Sequence, residues 1–200
     1  MGRYVPFDLR PAVASDAGEI ARVYITSWRD AYRGLVPDAV LDGLSLGREQ
    51  ASWRRIIDGS RGRVLVLTRP SAGVVGFLSY GAERAQSLRG ARAEIFTLYV
   101  QPRYQRRGGG RRLLAGAAEA MQAEGFDAAR LWVLADNQRA RRFYEAMAAR
   151  LAGSRATTVG GARLALAGYE WSSLEDLEER AAGLSEIALP DPLGAVSPGA

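Results

Sequence analysis

The chain has 200 residues and a mass of 21.6 kDa, with 48 % apolar residues, 24 % charged residues and a formal charge of +5; this is one globular domain with room for a short appendage. It contains no Cys, no His and no Lys, so all 27 basic side chains are Arg. Thiol nucleophiles, Ser–His and Cys–His pairs, histidine or cysteine metal sites, a Walker-type phosphate loop and a pyridoxal Schiff base are excluded, which leaves the chemistry to carboxylates, Tyr and Ser hydroxyls, Arg and backbone amides.

Phe7–Arg10 predicts a short strand closed at Pro11. Ser15-Asp16 then precedes a helix with Ile20, Val23, Tyr24, Ser27 and Trp28 on one face, Tyr32 continuing it, and Gly34 and Pro37 breaking it. A second helical stretch carries Leu41 and Leu44, and a third runs from Leu46 to Ile57 with Trp53, Ile56 and Ile57 facing in. Val64–Thr68 and Val74–Tyr80 read as an antiparallel hairpin, and a polar loop (83–90) leads to a strand over Ala93–Val100 ended by Pro102. After the glycines at 108–110, Leu113, Leu114, Ala117, Ala118 and Met121 mark one helical face, stopped by Gly125. Leu131–Leu134 is nearly all apolar, the pattern of a strand buried on both faces.

Asp136-Asn137 starts another helix, running to about Ala149, and strands over 154–159 and 163–171 are joined by Gly160-Gly161. Ser173 caps an extra acidic helix to Leu184, and residues 190–200 have the composition of a disordered tail. The domain plan is 1–172 for the main body, 173–189 for the extra helix and 190–200 for the tail. The order of elements gives one α/β layer structure of the α+β type, not a doubly wound sheet.

The charge is uneven: residues 1–169 hold 26 Arg against 15 acids, whereas 170–200 hold one Arg and seven acids. Arg103, Arg106, Arg107, Arg111 and Arg112 cluster where no acid occurs between 95 and 118, which suits a phosphorylated ligand. Nucleic acid is disfavoured because only Tyr104 lies near the cluster to stack a base. No apolar run reaches a membrane span and MGRYVPFDLR lacks a signal peptide's apolar stretch, so a cytoplasmic protein without a membrane partner is expected.

The segment from Leu98 to Leu114 carries the most information. A strand ends at Pro102, and Gly108, Gly109 and Gly110 open a helix. Without Cβ atoms, successive amides there can turn toward an anion, beside the free N–H groups of a helix N-terminus. Arg106, Arg107, Arg111 and Arg112 surround that turn with fixed positive forks. The arrangement is a pyrophosphate cradle, although the dinucleotide fingerprint is not met.

The full pattern L-Y-V-x-P-x-x-Q-R-x-G-x-G, with Gln105, Gly108 and Gly110, resembles the acetyl-CoA signature of the GNAT acetyltransferase superfamily. The resemblance runs over about residues 7–171. Leu9–Ala12 through Ile20 is similar to the family's opening strand and helix, and Trp28–Asp38 to a stretch of a bacterial branch. Asn137–Glu145 matches N-x-x-A-x-x-F-Y-E. The family continues x-x-Gly-Phe where this chain has Ala146-Met147-Ala148-Ala149, so the helix is expected to end later or less sharply.

The resemblance implies a mostly antiparallel mixed sheet with helices on both faces, in which the strand ending at Val100 splays from the strand ending at Leu134. It implies acetyl-CoA as cosubstrate, no metal, and transfer of the acetyl group to a small-molecule or peptide amine. The pantetheine arm would lie along Leu98, Tyr99 and Val100, and the pyrophosphate on Gln105, Arg106, Arg107, Gly108, Gly109, Gly110 and Arg111, with Asn137 and Tyr144 also at the cofactor. Tyr144 matches the family's proton donor to the CoA sulfur, and a backbone N–H near Leu98 the oxyanion donor. Glu94 is eleven residues before Gln105, where several members carry a general base, and alternates with Phe96, Leu98 and Val100 on an apolar face. Asp30, Asp38 and Asp42 are weaker candidates for that role. Trp28 and Tyr32, with Trp53, would wall the acceptor site. A CoA-binding module without turnover is the alternative, and a homodimer is left open.

Overall fold

The computed structural model describes residues 7–59, 63–83 and 92–183; the loop at 84–90 and the tail at 190–200 lie outside them. β1 (Asp8–Pro11) is followed by a single 3₁₀ turn and by helices α1 (Ala17–Tyr32), α2 (Asp38–Asp42) and α3 (Leu46–Asp58). Strands β2 (Arg63–Arg69), β3 (Gly73–Ala82) and β4 (Arg92–Val100) come next, then α4 (Gly109–Ala123), β5 (Ala128–Leu134), α5 (Gln138–Ala146), β6 (Arg150–Val159), β7 (Ala162–Trp171) and α6 (Leu174–Gly183). The sheet order is β1-β2-β3-β4-β5-β7-β6, and every neighbouring pair is antiparallel except β4–β5.

Each sheet face has its own core. On one, Ile20 and Val23 of α1 and Trp53 of α3 pack on Val66 and Phe77. On the other, Leu113, Leu114, Ala117 and Met121 of α4 meet Leu78, Tyr80, Ile95, Leu131 and Tyr169. Each such large apolar side chain withdrawn from water contributes about 1.5–3 kcal/mol. α6 completes this second core with Leu174, Leu177 and Ala181, so the extra acidic helix is built into the domain. Its N-cap is Ser173, whose Oγ accepts from Asp176 N at 3.0 Å. No helix among the described residues is long and apolar enough to cross a membrane.

Four sequence expectations are corrected. Ile56 is 38 % exposed, because the stripe of α3 that meets the sheet runs through Trp53 and Ile57, one full turn apart. β5 is buried on one face only: Ala129, Leu131 and Val133 point into the core while Arg130, Trp132 and Leu134 are half-buried, since among the described residues no helix packs closely on their side. β6 begins at Arg150 rather than 154, and its hairpin closes through Gly160 and Gly161 at φ 55° and 82°, the left-handed pair that a tight two-residue turn requires. Finally, α5 stops sharply at Ala146. Ala148 takes a left-handed φ of 62° where the family pattern has Gly. Ala149 N then closes on Tyr144 O at 3.0 Å, and Trp171 Nε1 pins Met147 O at 2.8 Å.

Candidate active site

β4 and β5 pair only from Arg92–Ala128 to Ile95–Leu131. Beyond Ile95 they part, while β5 stays bonded to β7 as far as Leu134, and a cleft of about 860 Å³ opens between Ile95–Val100 and Leu131–Val133. The local cause is a bulge. Ser79 opposes Thr97 and Tyr80 opposes Ile95, so Phe96 is one residue too many and β4 bends there. Gln101 N donates to Val75 O at 2.9 Å, which turns Gln101 toward β3. By antiparallel alternation, the backbone groups of Leu98 and Val100 then face the gap. Gln105 Nε2 reaches in from that side to Val100 O at 2.8 Å, so the Val100 carbonyl is already used and Leu98 keeps its own groups free of β3.

At the end of the gap the loop tightens through Tyr104 N to Gln101 O, 2.8 Å, and Gln105 N to Pro102 O, 3.2 Å. Arg106 (φ 59°) and Gly108 (φ 83°) are both left-handed, a backbone sequence that gathers amides into an anion-binding nest. The next loop bond is Arg112 N to Gly108 O, so the first amides of α4 have no intrahelical partner and face outward with the positive end of its dipole. Gly109 is buried, and a Cβ there would stand 2.8 Å from Leu67 Cδ2; its role is to seat α4 on β2, and it does not line the cleft. Gly108, Gly110, Arg106 and Arg111 do line it. Arg107 is exposed and off the lining. The Arg111 Nε is buried with no hydrogen-bond partner among the described residues.

α5 supplies the opposite rim. Asn137 is its N-cap, with Oδ1 accepting from Ala140 N at 3.1 Å; the same residue lines the cleft, as do Phe143 and Tyr144. The Tyr144 ring packs on Tyr169 and Trp171, and its hydroxyl has no hydrogen-bond partner among the described residues. Burial, with a smaller contribution from the nearby Tyr32 phenol, pushes the Tyr144 hydroxyl far above the ordinary tyrosine value of 10. Across the cleft, Tyr32 and Tyr99 share a hydroxyl hydrogen bond, and burial raises both phenols.

The remaining expected residues separate. Glu94 is buried but does not line the cleft, and its expected alternation is inverted. The extra residue Phe96 shifts the parity, so Glu94 lies on the face of Thr97 and Tyr99, whereas Leu98 and Val100 share the opposite face with Ile95. In the sheet it stands beside Arg130, whose guanidinium is ion-paired with Glu83. Tyr32 lines the cleft, but Trp28 stands behind it, packed between Tyr24 and Tyr32. Trp53 is core, edge-on to Phe77. Asp30 is bonded to Arg139 at 2.8 Å, and Asp38 and Asp42 both hold Arg33 at the surface.

Sequence reading missed Ser27, Phe96, Thr97, Trp132 and Arg139 in the lining. Arg139 had a usable signal, since it lies inside the N-x-x-A-x-x-F-Y-E element; the others meet only through the fold. No Asp or Glu lines the cleft among the described residues, and its charged lining is Arg106, Arg111, Arg139 and Arg142. An all-cationic gap flanked by unspent strand and helix amides can hold an extended, phosphorylated, amide-bearing molecule.

Residues 18–148 match the profile of the Acetyltransferase (GNAT) family. The chain is 30 % identical over 171 residues to an uncharacterised N-acetyltransferase, YuaI, of Bacillus subtilis strain 168, a match covering 85 % of this chain and 95 % of that protein. Its fold resembles that of the PaiA N-acetyltransferase of Thermoplasma acidophilum, crystallised with coenzyme A, at a TM-score of 0.61 and 19 % identity, over 83 % of this chain and 99 % of the other. It also resembles the ribosomal-protein-alanine N-acetyltransferase of Brucella melitensis, at a TM-score of 0.61 and 23 % identity, over 82 % and 98 % of the two chains.

Proposed function

The chain belongs to the GNAT acetyltransferase family, and on that premise we propose that it transfers the acetyl group of acetyl-CoA to a primary amine by direct attack. The observation that carries the proposal is the gap beyond Ile95 and Leu131, which ends on the free amides of α4 between Arg106 and Arg111. In this reading the outward backbone of Leu98 aligns the pantetheine arm like an added strand. The amides from Gly108 to Arg111 take the pyrophosphate, with Arg106 and Arg111 neutralising it.

The amine nitrogen attacks the thioester carbonyl, the oxyanion rests on a backbone N–H near Leu98, and the C–S bond then breaks. The departing sulfur takes its proton from the Tyr144 hydroxyl, which solvent restores. Burial keeps Tyr144 protonated; the same desolvation raises the basicity of a thiolate beside it, which favours the transfer. Glu94 is buried and does not line the cleft, so in this reading it draws the ammonium proton through water rather than by contact.

Thiol release from acetyl-CoA, followed across a panel of primary amines, tests the proposal, with calorimetric titration of coenzyme A alongside. Acetylation of at least one amine is expected. Coenzyme A binding without turnover of any amine would reduce the protein to a binding module, and no binding would remove the family reading of the cleft.

A further inference from the structure

The sheet face beyond the gap is unlike the rest. α1 and α3 pack over β2, β3 and β4, and among the described residues no helix packs closely on the same face of β5, β7 and β6. Trp132 lies flat on it. A Cβ on Gly168 would stand 2.9 Å from the indole, and Gly153, paired with Gly168 on the next strand, extends the trough. Arg155 then reaches back along β6 and places its guanidinium 4.1 Å from the Trp132 ring centroid.

A guanidinium stacked on an aromatic face keeps its N–H groups in the plane, where they form a fork for a planar anion. Arg155 makes no hydrogen bond or ion pair among the described residues, and it is exposed. Trp132, beneath it, lines the cleft, whose charged lining has Arg139 as well and no carboxylate among the described residues. The tip of the β6–β7 hairpin closes this end, with Gly160 against Val40 of α2. Among the described residues the neighbouring guanidiniums already have acidic partners, Arg139 in Asp30, Arg130 in Glu83 and Arg92 in Glu170, so Arg155 is the one left to take an anion from outside.

Building on the acetyltransferase reading above, we infer that the acceptor carries a carboxylate beside its amine, and that Arg155, held on Trp132, selects it. Amino-acid-like acceptors are therefore preferred over their carboxamides and over diamines. Arg155 is a specificity residue here and takes no part in bond breaking.

The test measures kcat/KM at saturating acetyl-CoA for alanine against alaninamide, β-alanine against its amide, and putrescine. The amides carry the less basic amines, so a preference for the carboxylate cannot come from amine basicity. The carboxylate member of at least one pair is expected to lead by about tenfold or more. Arg155→Met, which keeps an apolar stem over the indole, should bring that ratio near one. Arg155→Lys should retain part of it, whereas a folding defect would lower both members of a pair alike. Equal rates within both pairs, a lead for the amides or putrescine, or a ratio unchanged in Arg155→Met overturns the inference. Failure of every amine with coenzyme A binding intact overturns the acetyltransferase reading and this inference with it.

Discussion

Tyr32 of α1 and Tyr99 of β4, 67 residues apart in the chain, join their hydroxyls at 3.2 Å on the wall of the cleft opposite α5. The bond ties α1 to the strand that borders the gap. Removing either hydroxyl leaves the other without its partner, so Tyr32→Phe and Tyr99→Phe should each cost about 0.5–1.5 kcal/mol. The double variant should cost clearly less than the two together, as expected for groups sharing one bond. Urea denaturation of the four proteins measures the coupling, and strict additivity would mean that the bond contributes nothing.

Tyr144 is the one phenol of this group whose hydroxyl is unspent. Tyr144→Phe should lower kcat about a hundredfold while changing the KM for acetyl-CoA little, the pattern of an interaction made only as the sulfur departs. Because burial raises this phenol, it stays protonated through and beyond the ordinary tyrosine range. The pH profile of the wild type should therefore show no alkaline loss attributable to Tyr144 below pH 10. A loss near pH 8 that disappears in Tyr144→Phe would contradict that assignment.

Ala148 holds the left-handed turn after α5 without being glycine. An L-residue there stores roughly 1–2 kcal/mol of strain, part of which glycine would return as greater freedom of the unfolded chain. Ala148 is exposed, so no packing is lost, and Ala148→Gly should stabilise the fold by about 0.5–1 kcal/mol. A shift of the thermal midpoint upward by a few degrees checks it.

Asp16 accepts from both terminal nitrogens of Arg10, at 2.7 and 2.8 Å, and from Val13 N at 2.8 Å. The Arg10 hydrogen bonds hold its pKa below the ordinary carboxylate value of 3.8. A carboxylate with a depressed folded pKa contributes stability that is present above its unfolded value and is lost as pH falls through the folded one. Asp16→Asn should thus cost about 1–2 kcal/mol at neutral pH, with Arg10 itself half exposed to solvent screening. The difference from wild type should shrink as pH falls below 3.8 and vanish once the lower folded-state value is passed, and a difference that persists with the carboxyl fully protonated would assign the effect to packing.

Much of the proposed cofactor end could be read in the residues alone, because its parts are close in sequence. The strand end at Val100, the Gln105 side chain, the left-handed Gly108 and the first turn of α4 fall within one short segment, and the cap at Asn137 and the hydroxyl of Tyr144 within another. Local backbone rules and helical spacing suffice to set such pieces beside each other.

The proposed acceptor end was decided by the tertiary structure. One extra residue, Phe96, inverts the period-two alternation of β4 and carries Glu94 off the face that strict alternation gives it, which no reading of apolar parity can detect. Trp53 and Trp28 carry the same aromatic signal as Tyr32, yet packing sends the first into the core and the second behind the wall. The pairs that shape this end, Asp30 with Arg139 across 109 residues and Arg155 over Trp132 on the trough made by Gly168, join strands and helices whose neighbours are chosen only when the whole sheet assembles. Periodicity names the face of an element; it takes the assembled sheet to decide what stands opposite.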